Sequence, residues 1–308
     1  MPEDDDGLPT SLLSGRTAAE THMSGCERDG SAWQEETVSE ILWQAARPHV
    51  MYADFTKRQE GLVGADWLWW WVEGSGEAFG MLIQAKRLHR VGGRWTVGFR
   101  DKNGQQMGDL FRTADLFQVP AAYVVYLGGQ GFRANWSCGA GHATDCPACA
   151  RRSVSVLTAL QAELAGPSPA DGAAAVLNDA VALEDLAGRN PDGPVFDVNL
   201  SAAPDDLKRF LLQGQTGARA VARTVFAGVA ADRARGFSAA AETRVDIASD
   251  AIFSALPDDT GHFREAYFPH VLRGLRHSPP GYVLDALAEA PTTPDIAGHV
   301  AGVVVLRI

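Results

Sequence analysis

The reading turns on Gly64-Ala65-Asp66-Trp67-Leu68-Trp69-Trp70-Trp71-Val72 and its continuation Ala78-Phe79-Gly80-Met81-Leu82-Ile83-Gln84-Ala85-Lys86-Arg87-Leu88. Both runs are rich in Trp, Val, Leu, Ile and Met, so residues 66–72 and 78–88 read as strands. Glu73-Gly74-Ser75-Gly76-Glu77 supplies turn chemistry between them, and the two pair as a hairpin. Period-two alternation puts Gln84 and Lys86 on one face and turns Ala85 away. An amide and an amine in an otherwise apolar strand need an acidic partner or a cleft, because burying them unpaired is costly.

Working outward, Ser31 and Gln34 form a capping box for a helix through Val38, Ile41, Leu42 and Ala45 that stops before Pro48. Glu36 and Glu40 share one of its faces. Residues 49–56 read as a strand, and Trp95 to Phe99 adds a short one. After the turn Asp101-Lys102-Asn103-Gly104, a second amphipathic helix fits 105–118, with Met107, Leu110, Phe111, Ala114 and Phe117 on its buried face. Ala121 to Leu127 is apolar throughout, as suits a central strand. The fold class is therefore α/β, with a central mixed sheet flanked by helices. The expected organisation is a flexible N-terminal extension at 1–30, this core at 31–134, a cysteine loop at 135–150, and a mainly helical C-terminal region at 151–308. That last region is expected to hold helices at 151–165, 204–213, 216–235 and 237–256, a Gly/Pro/Ala-rich break at 166–175, and a final strand near 300–308.

The 308 residues, 46% hydrophobic, suffice for one large core or two modest ones. No run is long enough to cross a bilayer, and the start, Met1-Pro2-Glu3-Asp4-Asp5-Asp6, is acidic where a secretory signal is basic and then apolar. The expected compartment is the cytoplasm, with no membrane partner. The net charge of −11 excludes a protein that coats nucleic acid indiscriminately. Its distribution is uneven: residues 84–112 carry Lys86, Arg87, Arg90, Arg94, Arg100, Lys102 and Arg112 against only Asp101 and Asp109. This patch is either a nucleic-acid contact or a solvated hairpin face. Trp67, Trp69, Trp70 and Trp71 either stack on bases or pack in the core.

Asp66, Gln84 and Lys86 make a coherent set for metal-assisted phosphodiester chemistry. A carboxylate and an amide oxygen suit a hard cation such as Mg²⁺ or Mn²⁺, and the ammonium suits the negative charge of a phosphate. Glu36 completes the ligand shell or orients a water, with Glu40 its substitute one turn away, while Glu60 is either a further ligand or a solvated loop residue. The competing reading is a buried Asp66–Lys86 ion pair without catalysis. Farther on, Cys138, His142, Cys146 and Cys149 offer three thiolates and an imidazole within twelve residues, a set that suits one structural Zn²⁺; a reduced, metal-free loop is the alternative. Cys26 has no role in this reading.

Taken together, the helix bearing Glu36-Thr37-Val38-Ser39-Glu40, Glu60, the segment Gly64-Ala65-Asp66-Trp67, the segment Gln84-Ala85-Lys86-Arg87 and a helix beginning near Gln106 resemble the PD-(D/E)XK nuclease superfamily. Gln in place of the usual acid resembles its Mrr-like members, and the segment is also similar to bacterial proteins of unknown function that carry this core. The resemblance covers roughly 31–130. It implies a restriction-endonuclease-like fold and Mg²⁺-dependent cleavage of DNA, less often RNA, in restriction, phage defence or repair, with Glu36, Asp66, Gln84 and Lys86 as catalytic residues. Ala65 stands where the superfamily has Pro, and Gln84 removes one negative charge from the metal site. Two other expectations stand beside this one: a nuclease-like nucleic-acid-binding or scaffold protein without catalysis, and a zinc-containing interaction module. A homodimer or a partner protein would engage the C-terminal region.

Overall fold

The computed structural model describes residues 7–54, 65–100, 104–133, 146–187, 203–234, 244–246, 249–289, 296 and 298–308. Helices α1 (Gly7–Asp29) and α2 (Glu35–Ala45) lead into β1 (Val50–Asp54); β2 (Trp67–Val72) and β3 (Ala78–Arg87) form the expected hairpin, and β4 (His89–Val91) and β5 (Arg94–Thr96) a smaller one. Then come α3 (Gln105–Phe117), β6 (Ala121–Tyr126), α4 (Pro147–Arg151), β7 (Val154–Thr158), α5 (Ala159–Leu164), α6 (Pro169–Asp179), β8 (Val181–Ala182) and α7 (Leu183–Leu186). The remainder comprises α8 (Asp205–Leu212), α9 (Gly217–Ala234), β9 (Arg244–Asp246), β10 (Ala255–Pro257), α10 (Tyr267–Leu272), β11 (Leu275–Arg276), α11 (Gly281–Leu287) and β12 (Gly302–Arg307).

Eight strands make one mixed sheet in the order β1-β12-β2-β3-β6-β7-β8, with β11 added along the first residues of β3. β12–β2 and β3–β6 are parallel, and the other ladders are antiparallel. The tryptophans are the centre of the core. Trp69 meets Trp43 of α2 edge-on at 4.9 Å, and Trp70, on the opposite face, meets Tyr282 of α11 at 6.2 Å. Gly80 makes the second arrangement possible, since a Cβ there would lie 2.6 Å from the Trp70 ring. All four tryptophans of the run are buried, which settles them as packing residues rather than a platform for bases.

Several expectations need correction. Residues 7–29, expected as a flexible extension, form α1, which buries Leu8, Leu12, Ala19 and Met23. It is anchored by Arg16, which pairs with Glu184, and by Glu20, which faces Arg133 at 3.4 Å. Helix α2 starts at Glu35 rather than Ser31, and Ser31 bonds back to the Cys26 carbonyl instead of capping it. The stretch 151–165 is a strand followed by a short helix, and α6 occupies most of the expected break at 166–175. The expected helix at 237–256 is replaced, where described, by β9 and β10. Above all, the region after 151 is no mainly helical appendage: it contributes β7, β8, β11 and β12 to the central sheet, and β12 lies between β1 and β2.

Candidate active site

The ends of β1 and β3 and the start of β2 lie at the same end of the sheet, with β2 and β3 as interior strands. Asp66 enters β2 with its backbone clamped on both sides: its N–H donates to the Ile83 carbonyl at 3.0 Å, and its carbonyl accepts from Ala301 and Gly302 at 2.9 and 3.1 Å. Extending the β2–β3 register by one residue sets Asp66 opposite Gln84, on the same face as Lys86. The Asp66 Oδ2 accepts the Ala85 N–H at 2.7 Å. Asp66 keeps some accessible surface, yet the protein around its carboxyl is dense. Burial, reinforced by the charges of Glu36 and Glu35, pushes its pKa from 3.8 to about 6, against the opposing pull of the Ala85 N–H and Lys86.

Gln84 is 4% exposed, and its Oε1 has no hydrogen-bond partner among the described residues. Among the described residues the buried indole N–H groups of Trp43, Trp69 and Trp71, the Ser153 hydroxyl and the Arg276 Nε share that state; the indoles are donors within an aromatic cluster, where ring faces act as weak acceptors. Gln84 differs in being an acceptor beside an acid. Lys86 Nζ donates to Gln106 Oε1 at 2.8 Å, so the first turn of α3 holds the ammonium in place.

Helix α2 is fixed from the other face of the sheet. Ser39 donates to the Glu35 carbonyl at 2.9 Å, which spends its only proton, so Tyr126 must be the donor in the 2.6 Å bond between the two hydroxyls. Burial raises the Tyr126 pKa well above the phenol range. Arg87 donates to the Trp33 carbonyl at 2.6 Å and lies 3.8 Å from Glu35. Glu36 is exposed and acts on Asp66 through its charge. Glu40 lies beside Asp54, whose pKa is raised by burial and by the charge of Glu40. Sequence reasoning missed Asp54 and Glu35. The alignment of Asp54 with Gly302 and Trp67 depends on β12, some 250 residues away, and left no local signal.

Asp115, Glu265 and His270 are the one group of three Asp, Glu, His or Cys residues among the described ones whose ligand atoms lie mutually within 4.8 Å. It is already saturated. His270 Nδ1 meets Glu265 at 2.8 Å, its Nε2 accepts the Ala121 N–H at 3.3 Å, and Arg273 binds Asp115 at 2.6 Å. A cation there would have to displace the guanidinium and take a ring nitrogen from the backbone, so the cluster ties α10 and α3 to β6. A cleft lined by Val97, Phe99, Arg100, Pro167 and Pro169 shares no residue with the site. Its Arg100 donates to the Glu163 and Ala165 carbonyls.

Of the expected zinc ligands, Cys138 and His142 lie outside the described residues, as does Glu60. Cys146 precedes α4, and Cys149 is buried on it, its carbonyl accepting from Arg133 at 2.9 Å. Among the described residues no helix is long and apolar enough to cross a membrane.

Fold and site together define an α/β protein whose central mixed sheet carries an Asp–Gln–Lys cluster at one end of its interior strands. The chain belongs to DUF6615, a family of unknown function, whose model matches residues 13–294. No curated protein and no solved structure matches it.

Proposed function

We propose that the protein is a metal-dependent nuclease of the PD-(D/E)XK type that hydrolyses phosphodiester bonds in DNA, in restriction or phage defence. The observation that carries this reading is the buried, unpartnered Gln84 Oε1 set opposite the Asp66 carboxyl, with Lys86 two residues farther along the same face. An orphaned acceptor next to an acid suits an oxygen-ligated divalent cation better than any group this chain supplies. Asp66 and Gln84 would hold Mg²⁺ or Mn²⁺, with Glu36 completing the shell or orienting the water. The ion, when bound, would polarise the phosphate and make the attacking water more acidic. Lys86, steadied by Gln106, would stabilise the charge that develops on the phosphate.

The test is cleavage of plasmid, linear duplex, single strands and RNA with Mg²⁺, with Mn²⁺ and with EDTA. Cleavage should need the metal and should vanish in Asp66→Ala and Lys86→Ala proteins that melt cooperatively. Full activity in either variant would remove the assignment, and binding without cleavage in the wild type would leave only a nuclease-like binding protein.

A structural Zn²⁺ held by Cys138, His142, Cys146 and Cys149 belongs to the same proposal. The buried Arg133 interacts electrostatically with Cys149, and a cation nearby favours a thiolate. Metal analysis should find zinc in protein purified without chelators and lose it in Cys146→Ser.

A further inference from the structure

Lys102 lies outside the described residues, and the structure sorts the other basic residues at 84–112 into those held by an acid or a carbonyl oxygen and those that are not. Lys86 serves Gln106, Arg87 serves the Trp33 carbonyl and Glu35, Arg100 serves two backbone carbonyls, and Arg112 pairs with Asp109. Arg90 and Arg94 make no ion pair with a described residue. Both are exposed, and both sit on the β4–β5 hairpin, which follows β3 after Leu88. At most about 14 Å of extended chain separates Lys86 from Arg90.

The hairpin has a built side and an open side. Arg90 lies opposite Trp95, its guanidinium 5.2 Å from the ring centroid, and Trp95 packs edge-on against Phe132 at 5.0 Å. Trp95 thus braces the ribbon on the body of the protein, while Arg90 lies over its ring and stays exposed. On the other face the register groups His89, Val91, Arg94 and Thr96, and Val91 near the tip is 65% exposed. Gly92 and Gly93, at φ of 58° and 82°, allow the tight two-residue turn that keeps the ribbon narrow.

An exposed, braced, two-stranded ribbon carrying two arginines without acidic partners among the described residues, on a chain of net charge −11, suits an anionic partner. Resting on the nuclease reading above, we infer that this hairpin enters a groove of duplex DNA, with Arg90 and Arg94 on backbone phosphates flanking the bond presented to Lys86. A two-stranded β-ribbon fits the major groove of B-form DNA. Phosphate contacts of this kind fix register and orientation without reading sequence.

The test uses the full chain carrying Asp66→Asn, so that binding is measured without cleavage, and compares a short duplex with one of its own strands by fluorescence anisotropy over a salt series. Arg94→Ala should weaken duplex binding about fivefold, and Arg90→Ala with Arg94→Ala should do so about twentyfold. The slope of log affinity against log salt should fall by about one for each arginine removed. Arg209→Ala, an exposed charge on α8, is the matched control and should change nothing. Unchanged duplex affinity and salt slope in the double variant would overturn the inference, as would equal losses on duplex and single strand. Cleavage assayed in parallel on the chain with Asp66 intact separates the two claims. Metal-dependent cleavage with no hairpin effect on binding rejects the hairpin and leaves the nuclease reading standing. Hairpin-dependent duplex binding with no cleavage under any metal keeps the surface and rejects the nuclease.

Discussion

Two polar clusters lie against the same sheet, and they differ in how their hydrogen bonds close. Around His270, each ring nitrogen has a partner, Glu265 is bonded, and Arg273 faces Asp115. Around Gln84, an amide oxygen is buried without a partner beside a carboxyl whose pKa burial has pushed up to about 6. The first cluster contributes to the stability of the fold. The second costs stability, and a polar arrangement that costs stability points to a ligand.

The largest effect expected from this contrast is on activity. Lys86→Ala should lower cleavage by about a thousandfold, in the range of a lost electrostatic stabiliser, with little change in melting. His270→Ala should do the reverse, leaving the rate per folded molecule intact while costing about 3 kcal/mol, because the Ala121 N–H and Glu265 lose a buried partner. Thermal melts and initial rates on the same preparations check both, and a His270 variant that folds normally but does not cleave would break the contrast.

The difference is also visible in stability alone. Gln84→Leu removes an unsatisfied acceptor and keeps the apolar volume, so it should be neutral or raise stability by about 1 kcal/mol while abolishing cleavage. Destabilisation by more than about 2 kcal/mol would mean that Gln84 has a structural partner after all.

The two clusters should also respond to pH with opposite sign. Asp66 titrates in the folded chain at about 6 against 3.8 ordinarily, so the folded state binds its proton more tightly. Its penalty is absent below about 3.8, grows as pH rises through that window, and is complete above about 6. The advantage of Asp66→Asn over wild type should therefore grow with pH and level off, reaching at most about 3 kcal/mol. Burial, the leading cause, holds the His270 pKa below its ordinary 6.5, so its contribution is complete above 6.5 and lost as pH falls, when the unfolded chain takes up the proton first. The deficit of His270→Gln should thus shrink below pH 6.5. Cleavage at limiting metal should rise with pH through about 6 and shift to lower pH at saturating metal, since a cation favours the Asp66 carboxylate.

What the sequence disclosed follows the range over which its signals act. The β2–β3 hairpin, α3 and β6 carry their periodicity within a few turns of chain, and they match the observed elements to within two residues. The shared face of Gln84 and Lys86 followed from alternation alone. Helix α1 escaped because Leu8, Leu12, Ala19 and Met23 are diluted by Gly, Ser and Thr, and the contacts that anchor it, Arg16 to Glu184 and Glu20 to Arg133, are made with remote segments. At the start of β7, Val154 and Val156 alternate with Ser155 and the preceding Ser153 as a strand should, but Leu157, Leu160 and Leu164 mimic helical spacing across the boundary. The insertion of β12 between β1 and β2, which brings Asp54 to the site's edge, is a long-range pairing that a local pattern does not encode.

The smallest expected effect sharpens the ligand assignment. Gln84→Glu adds a charged oxygen at the buried position and should lower the Mg²⁺ concentration for half-maximal cleavage by about three- to tenfold. A folded variant with an unchanged or higher requirement would show that residue 84 does not face the cation.

The central claim, that the Asp66–Gln84–Lys86 cluster trades stability for chemistry, is tested most directly by measuring melting and Mg²⁺-dependent cleavage on one preparation of Asp66→Asn at neutral pH. The account predicts a melting temperature above that of the wild type together with loss of cleavage. A variant that melts lower, or that still cleaves at the wild-type rate, would contradict it.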